Sequence, residues 1–353
     1  MWRIRDSDPS FGVILLDAVN ETLFHDSTLY FALISGLLFS LVLQRRGWAA
    51  FFKSKLLNVI APYIIMTMAF TWYGVNADYE LAGFFQGGIA DYLAKVGENL
   101  LSGRAMFQLW YIPILVFLYL STPLIAWAMA GARTSWLIWP IMLAPLVASR
   151  TSSDYSWTTL AYFLGAYAAG MFAGAGYERA LLMCRQYQTL LFLTVFLTTA
   201  ALVASFLLDA DASGPISMIA TLWPVPMTET PWSVSSLMRE TLQPISIKET
   251  LWYVQKLAIA GVVLVWLHAN EARVPKWIDT LGTYAFPIYF LHGILLVAFT
   301  EVQFHQLAPD ASPVWVFLAA GFASLVFAVT VSLGLSSFAK CALGRRSRLL
   351  VGA

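Results

Sequence analysis

Two of the four histidines in this 353-residue chain have neighbours suited to proton transfer. His25 follows Glu21 by four residues, a spacing that puts both side chains on one helical face and lets a carboxylate orient the imidazole. An imidazole with an unperturbed pKa near ~6.5 is well matched to taking a proton from a hydroxyl at neutral pH. The competing reading of His25 is a solvated interfacial residue. His292 lies inside the apolar run "GTYAFPIYFLHGILL", Gly282 to Leu296. Ile288 and Tyr289 share its face, and Pro287 frees a backbone carbonyl one turn earlier that could accept a hydrogen bond. A packing role and a direct part in a reaction cavity both fit that position.

Other candidates concern binding. "QRRGWAAFFKSK" carries Arg45, Arg46, Lys53 and Lys55, which either hold phosphates or only set membrane topology. Trp110 and Tyr111, near the outer end of an apolar helix, line a substrate surface or belong to an interfacial aromatic belt. Tyr289, beside His292, is a further candidate substrate contact. Lys256 is the only lysine well inside an apolar stretch, one turn beyond Trp252. Because Lys248 and Glu249 mark a nearby boundary, its ammonium is expected to snorkel outward; a functional charge is the other reading. No phosphate-binding glycine loop, HExxH or GxSxG is present. Cys184 and Cys341 match no metal or CxxC spacing and read as unpaired cytosolic thiols, so no metal centre is expected.

The elements that must position these residues are apolar. Hydrophobic residues make up 59% of the chain and charged ones 12%, against roughly 25% charged in ordinary globular domains. A bilayer core about 30 Å thick takes roughly 20 apolar residues per helix. Such stretches recur at Ser27–Leu43, Leu56–Val75, Leu109–Ala130, Trp136–Ala148, Trp157–Tyr177, Thr189–Leu208, Leu251–His268, Leu281–Val302 and Pro313–Phe338. The fold class is therefore an all-α, polytopic transmembrane helix bundle of about nine spans, a single membrane domain over residues 1–353. The fourth stretch is short enough to be tilted or re-entrant. Strict alternation puts thirteen basic residues and the C-terminus on the cytosolic side. Residues 1–26 are then an extracytoplasmic amphipathic segment without a signal peptide, and 209–250, with "WPVPMTETPW", a long extracytoplasmic loop. An odd span count with an outside start leaves room for one more helix upstream. Ala166, Gly170 and Gly174 recur every four residues, as in closely approaching helices. No internal repeat is visible, and a net charge of +1 does not point to nucleic acid.

Three stretches carry a resemblance. "TLYFALISGLLFSLVL", a basic loop and "KLLNVIAPYI" resemble acyltransferase family 3 membrane proteins, with Ser35, Gly36, Pro62 and Tyr63 in the places of that family's Ser-Gly and Pro-Tyr. "LWYIPILVFLYLSTPL" is similar to its central helix through Trp110, Tyr111, Tyr119 and Pro123, and "YAFPIYFLHGILL" to its late Pro-Ile-Tyr-Leu-Leu-His element. The family's first helix, with an arginine and a catalytic histidine about ten residues apart, has no counterpart before Thr28, and Arg5 lacks such a partner. That element is the tenth helix the charge count asks for. Where the family often has two arginines before the Pro-Tyr, this chain has Lys55 and Asn58, and lysine lacks the planar fork of arginine.

The resemblance implies an O-acyltransferase with no permanently bound cofactor, which moves an acetyl or succinyl group from acyl-CoA to a hydroxyl of a cell-surface or periplasmic carbohydrate. It places the protein in the lipid bilayer of a bacterial inner membrane, as in glucan-modifying and exopolysaccharide-modifying members. The base is then either upstream or His25, oriented by Glu21, with His292 as the family's late marker. A transporter of a lipid-linked sugar or metabolite, or a catalytically inactive membrane scaffold, is the alternative.

Overall fold

The structure is a computed structural model, and it describes residues 11–75, 81–131, 134–148, 156–211, 247–299, 314–344 and 347. Most of the 209–250 loop, including "WPVPMTETPW", and Arg5 lie outside those residues. The chain forms two compact units that interleave in sequence: residues 44–120 with 272–353, and residues 8–43 with 121–271.

In the second of these units, a turn at His25, Asp26 and Ser27 separates α1 (Phe11–Phe24) from α2 (Thr28–Leu38) within one apolar stretch, Ala18–Arg46, that is long enough to cross a membrane. Asp26 takes φ = 52°, the left-handed geometry that ends helices and that aspartate tolerates better than most residues. Both the backbone N–H and the hydroxyl of Ser27 donate to the Phe24 carbonyl, at 3.2 and 2.6 Å, so the broken end is not left unsatisfied. α2 passes into a π-turn at Phe39–Leu43. In the first unit, α3 (Trp48–Lys55) leads through a second π-turn, Leu56–Ile60, into α4 (Ala61–Trp72).

A two-stranded antiparallel hairpin follows, β1 (Tyr73–Val75) with β2 (Leu81–Phe84), in which Tyr73 pairs with Phe84. α5 (Ile89–Ser102) starts where Asp91 Oδ2 accepts from the Gly88 N–H and ends at Gly103, which is left-handed at φ = 69°. Tyr63, the tyrosine of the Pro-Tyr, donates to the Leu100 carbonyl at 2.8 Å, and Asn99 donates to Thr71, so α4 and α5 are tied at both points. A 3₁₀ turn, Phe107–Trp110, opens α6 (Tyr111–Ala130), which runs from the first unit into the second.

Beyond α6, Ser135–Leu146 is a succession of 3₁₀ turns around a short α7 (Ile138–Leu143). The expected fourth span, Trp136–Ala148, is thus an apolar stretch shorter than the helices long enough to cross a membrane, in keeping with its short length in the sequence. α8 (Trp157–Ala175) is capped by the Ser156 hydroxyl, which accepts from the Thr159 N–H at 3.0 Å. α9 (Tyr177–Gln186), α10 (Gln188–Asp211) and α11 (Ile247–Ala269) complete the second unit. α2 and α8 pack backbone to backbone. A Cβ on Gly36 would strike the Tyr167 carbonyl, one on Gly170 the Leu33 carbonyl, and one on Gly174 would stand 2.7 Å from the Leu37 carbonyl. The small-residue stripe read from the sequence, together with the glycine of Ser-Gly, thus lets the two helices meet.

α12 (Lys276–Thr283), α13 (Ala285–Phe299) and α14 (Val314–Leu343) belong to the first unit. The expected eighth span, Leu281–Val302, is bent by 73° between α12 and α13. Pro287 explains the break. It has no N–H to give Thr283, so the hydrogen-bond ladder is interrupted there, and proline is tolerated in the first turn of the new helix. Among the described residues, six helices are long and apolar enough to cross a membrane, and seven if the bent pair is one span. The nine expected stretches differ from that number at the short fourth stretch and at α8, which at 19 residues reaches about 28 Å but whose hydropathy is lowered by its glycines, threonines and tyrosines. Large side chains such as Phe196, Trp315 and Phe322 are more than 60% exposed, as a lipid-facing surface requires.

Candidate active site

The corner between α1 and α2 brings ionisable side chains together. Glu21, in the last turn of α1, and His25, the first residue after it, meet as their spacing predicts: Nδ1 lies 2.7 Å from Glu21 Oε1. Toward an ionised carboxylate Nδ1 must donate, so in the neutral ring Nε2 carries the lone pair. Nε2 is 3.6 Å from Asp26 Oδ2 and 3.8 Å from Glu249 Oε1, both beyond hydrogen-bond length. The imidazole plane stacks on Trp252, with ring centroids 3.8 Å apart and 19° between planes. The His25 side chain remains 28% exposed, whereas that of Asp26 is fully covered.

Glu249, Trp252 and Lys256 form one stripe of α11, at positions i, i+3 and i+7, and all three are buried. Lys256 does not snorkel outward. Its residue is 0% exposed, and Nζ donates to the Leu23 carbonyl at 2.8 Å, the Thr22 carbonyl at 3.3 Å and Gln255 Oε1 at 3.3 Å. An ammonium inside an apolar span takes whatever acceptors replace water, and the carbonyl-rich end of α1 supplies them. Asp26, Glu249 and Trp252 are site neighbours that the linear pattern did not single out. The i, i+3, i+7 spacing on α11 is the signal that could have found two of them. Donor atoms of His25, Asp26 and Glu249 lie within 4.8 Å of one another, a spacing that a cation can bridge; a protonated imidazole supplies the positive charge just as well.

The other sequence-selected residues belong to the first unit. Arg45, Arg46 and Lys53 are exposed in the turn before and along α3. Lys55 is half-buried; its Nζ donates to the Tyr119 hydroxyl at 3.3 Å and sits 4.3 Å from the centre of that ring and 5.6 Å from that of Phe51. The π-turn begins at the next residue, and such turns often mark functional positions. Trp110 is half-buried, but Tyr111 is only 2% exposed. The Tyr289 hydroxyl donates to the Gln108 carbonyl. Gln108 in turn donates to the Phe290 carbonyl at 3.2 Å, and its side chain fills the space that a Cβ on Gly293 would need.

His292 Nδ1 lies 3.0 Å from the Ile288 carbonyl, which can only accept, so Nδ1 holds the proton. The carbonyl used is that of Ile288, in the same helix turn, and not the one Pro287 frees. Phe107 meets the ring edge-on, with centroids 6.3 Å apart. His25 and Glu21 are thus brought together in one unit, and Tyr289 and His292 share one helix in the other, as do Lys55 and Tyr119 a contact.

A mainly helical membrane protein with a histidine held by a carboxylate at a helix turn is a framework suited to acid–base chemistry. The acyltransferase domain of acyltransferase family 3 matches residues 28–333, and the chain belongs to that family. The match begins three residues after His25, so Glu249, Trp252, Lys256, the basic turn and the His292 helix lie within it, and Glu21 and His25 just before it. No curated protein and no solved structure matches the chain.

Proposed function

We propose that this membrane acyltransferase moves an acetyl or succinyl group from acyl-CoA to a hydroxyl of a cell-surface or periplasmic carbohydrate, in the inner membrane of a bacterium, with His25 as general base. The observation that carries the reading is the 2.7 Å contact between His25 Nδ1 and Glu21 Oε1, in a chain of an acyltransferase family. The acceptor hydroxyl gives its proton to Nε2 while its oxygen attacks the thioester carbon. The tetrahedral intermediate then expels the thiolate: the C–S bond breaks, the C–O ester remains, and the imidazolium returns the proton to sulfur. Glu21 holds the ring in the tautomer this needs, and Asp26 and Glu249 stabilise the imidazolium.

Arg45, Arg46 and Lys53, exposed in the first unit, suit the phosphates of the donor, with Lys55 as the charge nearest the apolar region. Trp110 and Tyr289 are the proposed carbohydrate contacts, and Tyr111, which is buried and meets the Trp110 ring edge-on at 5.9 Å, is assigned to supporting that ring. His292 is assigned to holding its own helix turn and not to proton transfer.

The test uses the full chain in lipid nanodiscs with acetyl-CoA or succinyl-CoA, with and without an acceptor glycan. Free CoA thiol is expected only when the glycan is present, and H25N is expected to slow its release by about 10²–10⁴-fold. CoA release unchanged in H25N removes His25 from the mechanism. Failure to bind either acyl-CoA removes the donor, and glycan movement across the bilayer without CoA release indicates transport.

A further inference from the structure

Lys256 is a buried charge to which the reaction above gives no task. It sits nine residues into α11, within a stretch apolar enough to cross a membrane, and none of its surface is exposed. Burying an ammonium costs several kcal/mol unless its protons find acceptors. All three do: the carbonyls of Thr22 and Leu23 and the side chain of Gln255. The two carbonyls belong to the last turn of α1, where a helix leaves carbonyls without partners and its dipole is negative. In sequence they lie between Glu21 and His25.

The same stripe of α11 acts on the corner at two further points. Trp252, one turn before Lys256, lies against the face of the His25 ring, and Glu249, one turn earlier again, stands 3.8 Å from Nε2. Among the described residues, the charged groups around the ring are thus Glu21, Asp26 and Glu249, and Lys256 is the cation bonded to the backbone that carries the first two. Without its ammonium the carbonyls of Thr22 and Leu23 would be left in an apolar interior without their acceptor role filled. The end of α1 would rearrange to satisfy them, and Glu21 and His25 would lose register.

We propose that Lys256 is the positioning residue of this site: by binding the last carbonyls of α1 it fixes the turn that presents Glu21 and His25. The proposal rests on the reading of His25 as base. Since every proton of Lys256 is spent on the chain itself, its loss acts on turnover and not on substrate binding.

The experiment uses full-length protein in nanodiscs labelled with ¹⁵N-histidine, the His25 resonances being identified by their absence in H25N. Wild-type protein shows a hydrogen-bonded Nδ1–H at His25. K256M is expected to lose that signature and to lower kcat by about 10²-fold, with KM within about twofold, since a small misplacement of a catalytic group costs that much. K256Q, whose amide still donates to a carbonyl, recovers part of both, and it carries the test if K256M does not fold. An intact Nδ1–H signature in K256M, or equal losses in K256M and K256Q, overturns the proposal. Should H25N retain activity, the reading of His25 as base fails, while the spectrum of K256M still decides whether Lys256 sets the ring.

Discussion

Replacing Glu21 by glutamine keeps the shape of the side chain and removes its charge. Oε1 lies 2.7 Å from His25 Nδ1, and the two side chains are 17% and 28% exposed, so the bond is short but partly screened. A hydrogen bond to an ionised partner contributes about 1.5–3 kcal/mol and a neutral one about 0.5–1.5 kcal/mol. The charge therefore contributes about 1–2 kcal/mol to the imidazolium that forms as the acceptor is deprotonated, or about five- to thirty-fold in kcat. In the proposed mechanism H25N removes the base, at an expected cost of about 10²–10⁴-fold. Because Glu21 acts only through the ring, E21Q/H25N should be no slower than H25N alone. Thiol release from acyl-CoA in the presence of acceptor glycan measures all four proteins. A double variant slower than H25N by the full E21Q factor would show that the two residues do not act as a unit and would refute the dyad.

Packing, donor binding and thiol chemistry give three more tests. In G170A the new Cβ meets backbone atoms of α2, with the Leu33 carbonyl carbon at 2.8 Å and the Leu37 nitrogen at 3.0 Å. Overpacking of about 1–3 kcal/mol exceeds the roughly 1 kcal/mol that alanine gains over glycine in a helix, so thermal unfolding in detergent should show a loss. G334A, in α14 with nothing within 4 Å of its Cβ, should show a gain. K55E is expected to weaken acyl-CoA binding about tenfold while cysteine accessibility reports unchanged membrane orientation; unchanged binding removes Lys55 from the donor site. Burial pushes the Cys184 thiol above its ordinary value of 9.0. A raised pKa favours the neutral thiol, so maleimide labelling of Cys184 should lag a solution thiol at pH 7–8 and still be accelerating above pH 9; a rate already level by pH 8 would contradict this.

The parts of the fold legible in the sequence are those governed by local spacing. Gly170 and Gly174 marked a close helix pair because small residues one turn apart leave a groove, and the backbone of α2 fills it. Glu21 and His25 meet because four residues is one helical turn, and that holds wherever the helix lies. Lys256 was misread because hydropathy gives depth in a membrane but not neighbours. The acceptors that keep it inside come from α1, more than 230 residues earlier in the chain. The expected eighth span, Leu281–Val302, lies mostly in α13, and the bend at its start was not legible in hydropathy because it depends on a single missing N–H at Pro287.

The two candidate histidines show why spacing alone could not rank them. Each commits Nδ1 to an acceptor four residues earlier, His25 to the Glu21 carboxylate and His292 to the Ile288 carbonyl. The geometry is nearly the same, 2.7 and 3.0 Å, and both rings are left with Nε2 as the basic nitrogen. What differs is charge. A proton taken up at Nε2 of His25 makes a cation beside one carboxylate in contact and two more within 4 Å, all of which stabilise it. Against His292 lie the Ile288 carbonyl dipole and the rings of Phe107 and Tyr289, which stabilise a cation far less than carboxylates do. A base must hold its proton until the leaving group needs it. The carboxylate environment at the α1–α2 turn meets that requirement, and in the proposal above Lys256 holds that turn in place through the backbone carbonyls between Glu21 and His25.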